Sequence, residues 1–167
     1  AARLYQFCRF VDDLADGDLP DRLDSLEDIR AGLSDPKHPA VATIPELEAF
    51  VALATETNIP LKAAGELLDG MLRDQLPTAL ETEAELLRYC HAVAGTVGLM
   101  MCRVLNCQHA RADAFAIDLG VAMQLTNIAR DVLEDAKMDR RYLPANWFDA
   151  PLSPETIANA ANDCHLP

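Results

Sequence analysis

Apolar positions in this chain recur at helical spacing, and no stretch alternates apolar and polar residues as a half-buried strand would. Between 124 and 135, Leu125, Ile128, Ala129, Val132 and Leu133 follow the 3.6-residue period. At about 100° per residue, Gln124, Asn127, Asp131 and Asp135 then fall within roughly a quarter-turn of one another. Near the start, Leu4, Cys8, Val11 and Ala15 mark a buried stripe, while Tyr5, Arg9, Asp12 and Asp16 gather on another face.

Extended along the chain, the pattern predicts helices over 1–17, 21–33, 45–57, 61–75, 82–105, 110–136 and 154–167. Their inward residues are Leu23, Leu26, Ile29 and Leu33 in the second, and Leu47, Phe50, Val51 and Ala54 in the third. In the helix over 110–136, Phe115, Ile117, Leu119, Val121, Met123 and Leu125 supply the apolar bulk. Gly17 suits a C-cap, where a left-handed residue closes a helix. Thr82 and Glu85 form a capping box, and Ser153 with Pro154 is an N-cap followed by proline at the first helical position. Residues 17–20, 34–39 and 140–144 read as turns and loops, with no internal repeat anywhere. The prediction is a single all-α domain over 1–167.

Length and composition fit that picture and narrow the partners. A chain of 167 residues, 50% hydrophobic, is long enough for one substantial core and reads as globular and soluble. Its net charge of −13 argues against nucleic acid, whose affinity comes from lysine and arginine on phosphates. The uncharged run 92–102 is well short of a membrane span. Five scattered cysteines without a Cys-x-x-Cys predict reduced thiols in a cytoplasmic protein. The histidines do not cluster, and Cys107 with His109 is too little for a zinc site.

The acidic faces are the candidate chemistry. Asp131 and Asp135, one turn apart, repel each other, so a helix gains nothing by pairing them. A hard cation in front reverses that sign, since Mg²⁺ takes one or two carboxylates plus waters and substrate phosphates. Two such helices facing one another would hold a diphosphate through metal; taken singly, each is equally a solvated acidic face. Gly95 and Gly98 inside a helix cost about 1 kcal/mol each relative to alanine, and imply either a closely packed helix or space for a ligand. Asp74 stands near a helix end, either assisting the metal site or an arginine, or as a surface charge. No Ser-His-Asp or Cys-His arrangement, phosphate loop or dinucleotide fingerprint is present.

The segment from Tyr5 through Arg9, Asp12 and Asp13 to Asp16 resembles the first aspartate-rich motif of the squalene/phytoene synthase family. Gln124 to Asp135, continuing through Arg140, Arg141, Tyr142 and Pro144, resembles the second, and Tyr89 to Met101 the central helix. The runs 97–101, 138–140 and 143–147 are most similar to bacterial phytoene synthases. The resemblance implies a helical isoprenoid-synthase bundle around a central cavity. The chain would be an incomplete head-to-head trans-isoprenyl diphosphate synthase domain, with helices missing at both ends.

It further implies Mg²⁺, with Mn²⁺ as the alternative, and no NADPH if phytoene is the product. Two geranylgeranyl diphosphates would condense through a cyclopropylcarbinyl diphosphate to phytoene. The nearest alternative is a squalene or dehydrosqualene synthase using farnesyl diphosphate. Further off stand a head-to-tail prenyltransferase or terpene cyclase and, in another class, an inactive helical interaction module. By resemblance, Asp12, Asp16, Asp131 and Asp135 are metal ligands with Asn127 in support, and Arg9, Arg130 and Arg140 hold diphosphate oxygens. Tyr5 and Tyr89 orient phosphate or steady a cation, Gln124 sits at the channel mouth, and Ala94, Val97 and Gly98 line the prenyl channel. Peripheral association with the inner membrane would serve release of a hydrocarbon product.

Overall fold

The computed structural model describes residues 1–15, 17, 22–74, 77–149 and 152–163. Its helices are α1 (Ala2–Ala15), α2 (Arg22–Ser34), α3 (Pro39–Thr43), α4 (Pro45–Thr57), α5 (Leu61–Arg73), α6 (Glu83–Cys90), α7 (Thr96–Val104), α8 (Ala112–Lys137) and α9 (Pro154–Asp163). A π-helical turn, His91–Gly95, joins α6 to α7. Two short strands, β1 (Thr78–Ala79) and β2 (Arg140–Arg141), pair in parallel, Thr78 opposite Arg140 and Ala79 opposite Arg141. Two-residue strands carry no periodicity, so the loop expected at 140–144 concealed one of them. Among the described residues, no helix is long and apolar enough to cross a membrane.

Local chemistry sets several boundaries as expected. Gly17 takes φ 83°, the left-handed conformation that closes a helix. At the start of α6, Thr82 Oγ1 accepts from the Glu85 N–H at 3.3 Å, and Glu85 Oε2 accepts from the Thr82 N–H at 3.1 Å. Before α9, Ser153 Oγ accepts from the Thr156 N–H at 3.0 Å. The expected start of the helix over 21–33, the end of that over 61–75 and the last four residues of the chain lie outside the described residues. The short helix α3, opened by Pro39, falls between two elements and was not anticipated.

The main core joins α1, α2, α4, α5 and α7. Leu4, Phe7, Val11 and Leu14 meet Leu26, Ile29, Leu47, Phe50, Leu67, Leu68 and Met100. On α1, Leu4, Val11 and Ala15 are buried as expected, and Phe7 and Leu14 join them in place of Cys8. Phe7 stacks on Phe50 with ring centroids 3.9 Å apart, which leaves Cys8 half-buried. A smaller cluster, Leu86, Cys90, Ile128 and Tyr142, lies between α6 and α8.

The α8 helix departs from expectation on one side. Phe115, Leu119 and Met123 are 51%, 64% and 62% exposed, whereas Ile117, Val121 and Leu125 are half-buried. Apolar residues occupy both flanks of α8; Ile117, Val121 and Leu125 are on a covered one, and Phe115, Leu119 and Met123 are not. The contact of α8 with α7 and the π turn is close because of two glycines. A Cβ on Gly98 would lie 2.1 Å from the Ala116 carbonyl oxygen, and one on Gly120 only 2.4 Å from the Ala94 carbonyl oxygen. The single helix expected over 82–105 is interrupted just here by the π turn. One extra residue in a turn shifts the phase of the next helix, so Tyr89 and the core-facing Met100 point to different sides.

These contacts predict opposite outcomes for two glycine substitutions. Gly98→Ala forces α7 and α8 apart and destabilises by about 1–3 kcal/mol, as overpacking does. Gly65→Ala meets nothing within 4 Å and stabilises α5 by up to ~1 kcal/mol. Urea unfolding of both variants measures the difference; a neutral Gly98→Ala refutes the close-contact account.

Candidate functional site

One face each of α1 and α8 borders a cavity of about 190 Å³. On α1, packing of Leu4, Phe7, Val11 and Leu14 into the core leaves Asp12 to the side that borders it. On α8, Gln124, Asn127, Asp131 and Asp135 border it, the last three continuing at four-residue spacing the ridge of Phe115, Leu119 and Met123. Met71 and Asp74 come from the end of α5, Tyr89 from α6, and Arg140 and Tyr142 from β2 and the residue after it.

Strand geometry explains the last two. Side chains alternate along β2, so Arg140 and Tyr142 border the cavity while Arg141 does not. Arg141, only 6% exposed, donates to the Leu80 carbonyl at 2.9 Å, the Leu143 carbonyl at 2.8 Å and Glu81 Oε1 at 3.1 Å. A buried guanidinium thus holds the strand pair in register. It satisfies its charge and hydrogen bonds away from the cavity.

The carboxylates differ from one another. Arg130 grips Asp131 with Nε at 2.6 Å and Nη2 at 2.5 Å, and these bonds hold the Asp131 carboxyl below its usual range. Asp131 also departs from helical backbone, at φ −104° and ψ 15°, so α8 kinks at this residue. Asp135 is held above the usual range by partial burial first and then by the Asp131 charge, with Arg140 pulling the other way. On α1, Arg9 donates to Asp12 Oδ2 at 3.2 Å and reaches Asp13 Oδ1 at 2.7 Å. The Asn127 amide donates to Gln124 Oε1 at 3.4 Å, which leaves its own carbonyl oxygen as an acceptor on the cavity wall.

Asp74 is the acceptor for two phenols. Tyr89 donates to Oδ2 and Tyr142 to Oδ1, each at 2.8 Å, and the two rings stack with centroids 4.7 Å apart. Burial, then the Asp74 charge, pushes the pKa of both hydroxyls well above the ordinary phenol value. Both therefore stay protonated at any working pH. Asp74 and Tyr89 also stand on the wall of a second, larger cavity of about 820 Å³ between α5 and α6.

Of the residues singled out from sequence, Asp12, Gln124, Asn127, Asp131, Asp135, Tyr89 and Arg140 share the small cavity. Asp16 lies outside the described residues. Arg9 and Arg130 are on the outer surface, each turned onto a neighbouring aspartate. Tyr5 is 68% exposed on α1 and does not border the cavity. Neither Ala94, Val97 nor Gly98 borders either cavity. Ala94 and Gly98 make the backbone contact with α8, and Val97 packs on the main core. Among the described residues, the contacts they make are those of helix packing. Sequence reasoning gave Tyr142 no role and left Asp74 open. The signal for both was a contact spanning 68 residues, which no local spacing encodes.

The donor set has the chemistry of a hard-cation site, all carboxylate and amide oxygen. Among the described residues no three carboxylates, cysteines or histidines come close enough together to hold an ion by themselves. A volume of about 190 Å³ is on the scale of a diphosphate head rather than of a whole prenyl chain.

A family model described as squalene/phytoene synthase matches residues 1–166. Similar curated proteins include the phytoene synthase of Pseudescherichia vulneris, 46% identical over 123 residues, covering 73% of this chain and 40% of that one. The phytoene synthase of Thermus thermophilus is 44% identical over 148 residues, covering 88% and 50% respectively. A crystal structure of a dehydrosqualene synthase in complex with ligand aligns with TM-score 0.70 and 29% identity, over 96% of this chain and 62% of that one. The squalene synthase HpnC of Alicyclobacillus acidocaldarius aligns with TM-score 0.75 at 24% identity, over 94% and 60%, a likeness of fold alone. The chain spans about half the length of the curated relatives it matches.

The opposed shifts within the aspartate pair predict a pH dependence for the metal-free chain. A carboxyl raised in the folded state costs stability above its folded value, and the cost vanishes once it is protonated at low pH. Asp135→Asn should therefore stabilise at neutral pH, by less than ~1 kcal/mol because the group is mostly solvated. The gain should disappear as pH falls through the carboxylate range, near about pH 4. Asp131 runs the other way: its contribution is present above the ordinary carboxylate range and is lost as pH falls through its lowered value. Urea midpoints of parent and Asp135→Asn across pH test this, and a pH-independent gain contradicts it.

Proposed function

The chain belongs to the squalene/phytoene synthase family, and from that premise we propose that it condenses two geranylgeranyl diphosphates head to head to phytoene. The observation that carries this reading is the single cavity shared by Asp12 of α1 and Asn127, Asp131 and Asp135 of α8. Two acidic faces more than a hundred residues apart have no reason to converge in a solvated surface. The choice of phytoene is supported by relatives of that name at 44–46% identity, against 24–29% for squalene and dehydrosqualene synthases of known structure.

In this reading Asp12, Asp131 and Asp135, with Asp16 and the Asn127 carbonyl, would hold Mg²⁺, with Mn²⁺ as the alternative. The ion supplies Lewis acidity that makes the diphosphate a better leaving group. Arg140, on the cavity wall beside Asp135, meets diphosphate oxygens directly. Arg9 and Arg130 reach them by exchanging an aspartate oxygen for a phosphate oxygen, at little cost because surface ion pairs are weak. Loss of diphosphate leaves an allylic cation, which adds to the double bond of the second substrate, and loss of a proton closes the ring of the cyclopropylcarbinyl diphosphate. That intermediate ionises in turn, rearranges and loses a proton. The stacked Tyr89 and Tyr142 present hydroxyl oxygens and π-faces on one wall, both of which favour positive charge. Water has to be excluded while a cation persists, and Ile128 and Met71 supply apolar lining.

The test is incubation of the full chain with geranylgeranyl or farnesyl diphosphate and Mg²⁺, followed by analysis of the hydrocarbon extract. Phytoene from the C20 substrate is expected; a C30 hydrocarbon from farnesyl diphosphate alone overturns the assignment. Asp131→Asn should lower Mg²⁺-dependent diphosphate binding and turnover by about 100-fold. Folding stability should change by no more than ~0.5 kcal/mol. Arg130→Lys keeps the charge but loses the planar fork, and should cost less activity than the aspartate change.

A further inference from the structure

Asp74 is an unfavourable residue for its position. It directly succeeds α5, with its N–H bonded back to the Gly70 and Met71 carbonyls. A helix C-terminus carries partial negative charge, so a carboxylate there is disfavoured and a cation is preferred. The cation adjoining it in sequence, Arg73, is exposed, while Asp74 is half-buried. What compensates the carboxylate is a pair of phenols from distant parts of the chain. Tyr89 of α6 donates to one oxygen and Tyr142 after β2 to the other, both at 2.8 Å. The rings stack on each other, and all three residues border the cavity that holds Asp12, Asp131 and Asp135.

A hydroxyl has one proton to give and two lone pairs to offer. With both protons directed at Asp74, the lone pairs of Tyr89 and Tyr142 are what remains for the cavity. The carboxylate in turn accepts a phenol proton at each oxygen, which fixes the direction of both hydroxyls. This separates Asp74 from Asp131, whose partner is a solvent-exposed arginine free to exchange.

We infer that Asp74 is a positioning residue for the condensation: it orients the hydroxyls of Tyr89 and Tyr142 so that both oxygens face the cavity and stabilise the cationic intermediates. The inference rests on the function proposed above and adds to it a division of labour among the aspartates. Asp12, Asp131 and Asp135 act on the diphosphate, and Asp74 acts on the carbon cation through two tyrosines. The residue that orients the phenols is itself neither a metal ligand nor a base.

Asp74→Asn tests it, because an amide offers one acceptor oxygen where two are needed. In the full chain, kcat should fall by about tenfold or more, as when a directed polar group is lost from the reacting centre. KM and the Mg²⁺-dependent affinity for inorganic diphosphate should stay within about twofold, since uniform binding is untouched. Tyr142→Phe should lower kcat in the same way, and the double variant should be no worse than the poorer single one. Independently of activity, the parent should show two slowly exchanging phenol hydroxyl protons by NMR, with at least one lost in Asp74→Asn.

Diphosphate affinity falling as far as kcat would make Asp74 a metal ligand and overturn the inference. So would an unchanged kcat or additive losses in the double variant. Should Asp74→Asn fail to fold, Tyr142→Phe, which keeps the carboxylate and deletes one oxygen, reads the same arrangement. A parent chain inert toward prenyl diphosphates defeats the functional reading instead. The hydroxyl protons then decide the arrangement alone, and their absence from the parent overturns it.

Discussion

The architecture turns on two backbone contacts between helices. Gly98 lets α7 approach the Ala116 carbonyl, and Gly120 lets α8 approach the Ala94 carbonyl, at separations that leave no room for a Cβ. Two reciprocal contacts fix both the distance of α8 and its rotation about its own axis. That rotation decides which flank is covered and which residues turn to α1. With Ile117, Val121 and Leu125 half-buried on one side, Gln124, Asn127, Asp131 and Asp135 are presented together toward Asp12. A helix rotated by one residue, about 100°, would turn that whole face away from α1. The π turn at His91–Gly95 belongs to the same arrangement, since it lets α6 aim Tyr89 at the cavity while α7 buries Met100 in the core.

Assembling carboxylates in this way is electrostatically costly, and the structure shows how the cost is spread. Arg9 and Arg130 each lie against an aspartate at the rim, and Arg140 opposes the rise in Asp135. Asp74 accepts from two phenol hydroxyls. The residual strain falls on Asp135, the carboxyl with partial burial and an anion one turn away. Like charges one turn apart lower local stability, the usual relation between a site placed for function and folding.

Arg141 shows a different use of charge. Its guanidinium is nearly inaccessible and bonded to two carbonyls and Glu81 across the strand pair. Neighbouring arginines at 140 and 141 therefore do unrelated things. Alternation along a two-residue strand sends one to the cavity and ties the other into the scaffold.

Much of this was written in local spacing. Helical period, the capping box at Thr82, glycine at 17 and Ser153 before Pro154 depend on neighbours within one turn, so the helices and most of their ends were legible. The face formed by Gln124, Asn127, Asp131 and Asp135 was legible too, because residues three and four apart share a side of any helix. Other features needed the assembled fold. Gly98 could serve packing or a ligand until Ala116 was placed against it. The exposed flank of Phe115, Leu119 and Met123 looked like core, because periodicity marks apolar faces without saying which has a partner. The π turn answers to packing against α5 and α8, where Gly70 and Gly120 admit it. The Asp74 pair of phenols joins residues 15 and 68 positions apart. Local propensity acts over a few residues and is carried by the sequence directly, whereas a contact between distant segments exists only once the chain has paid the entropy of bringing them together.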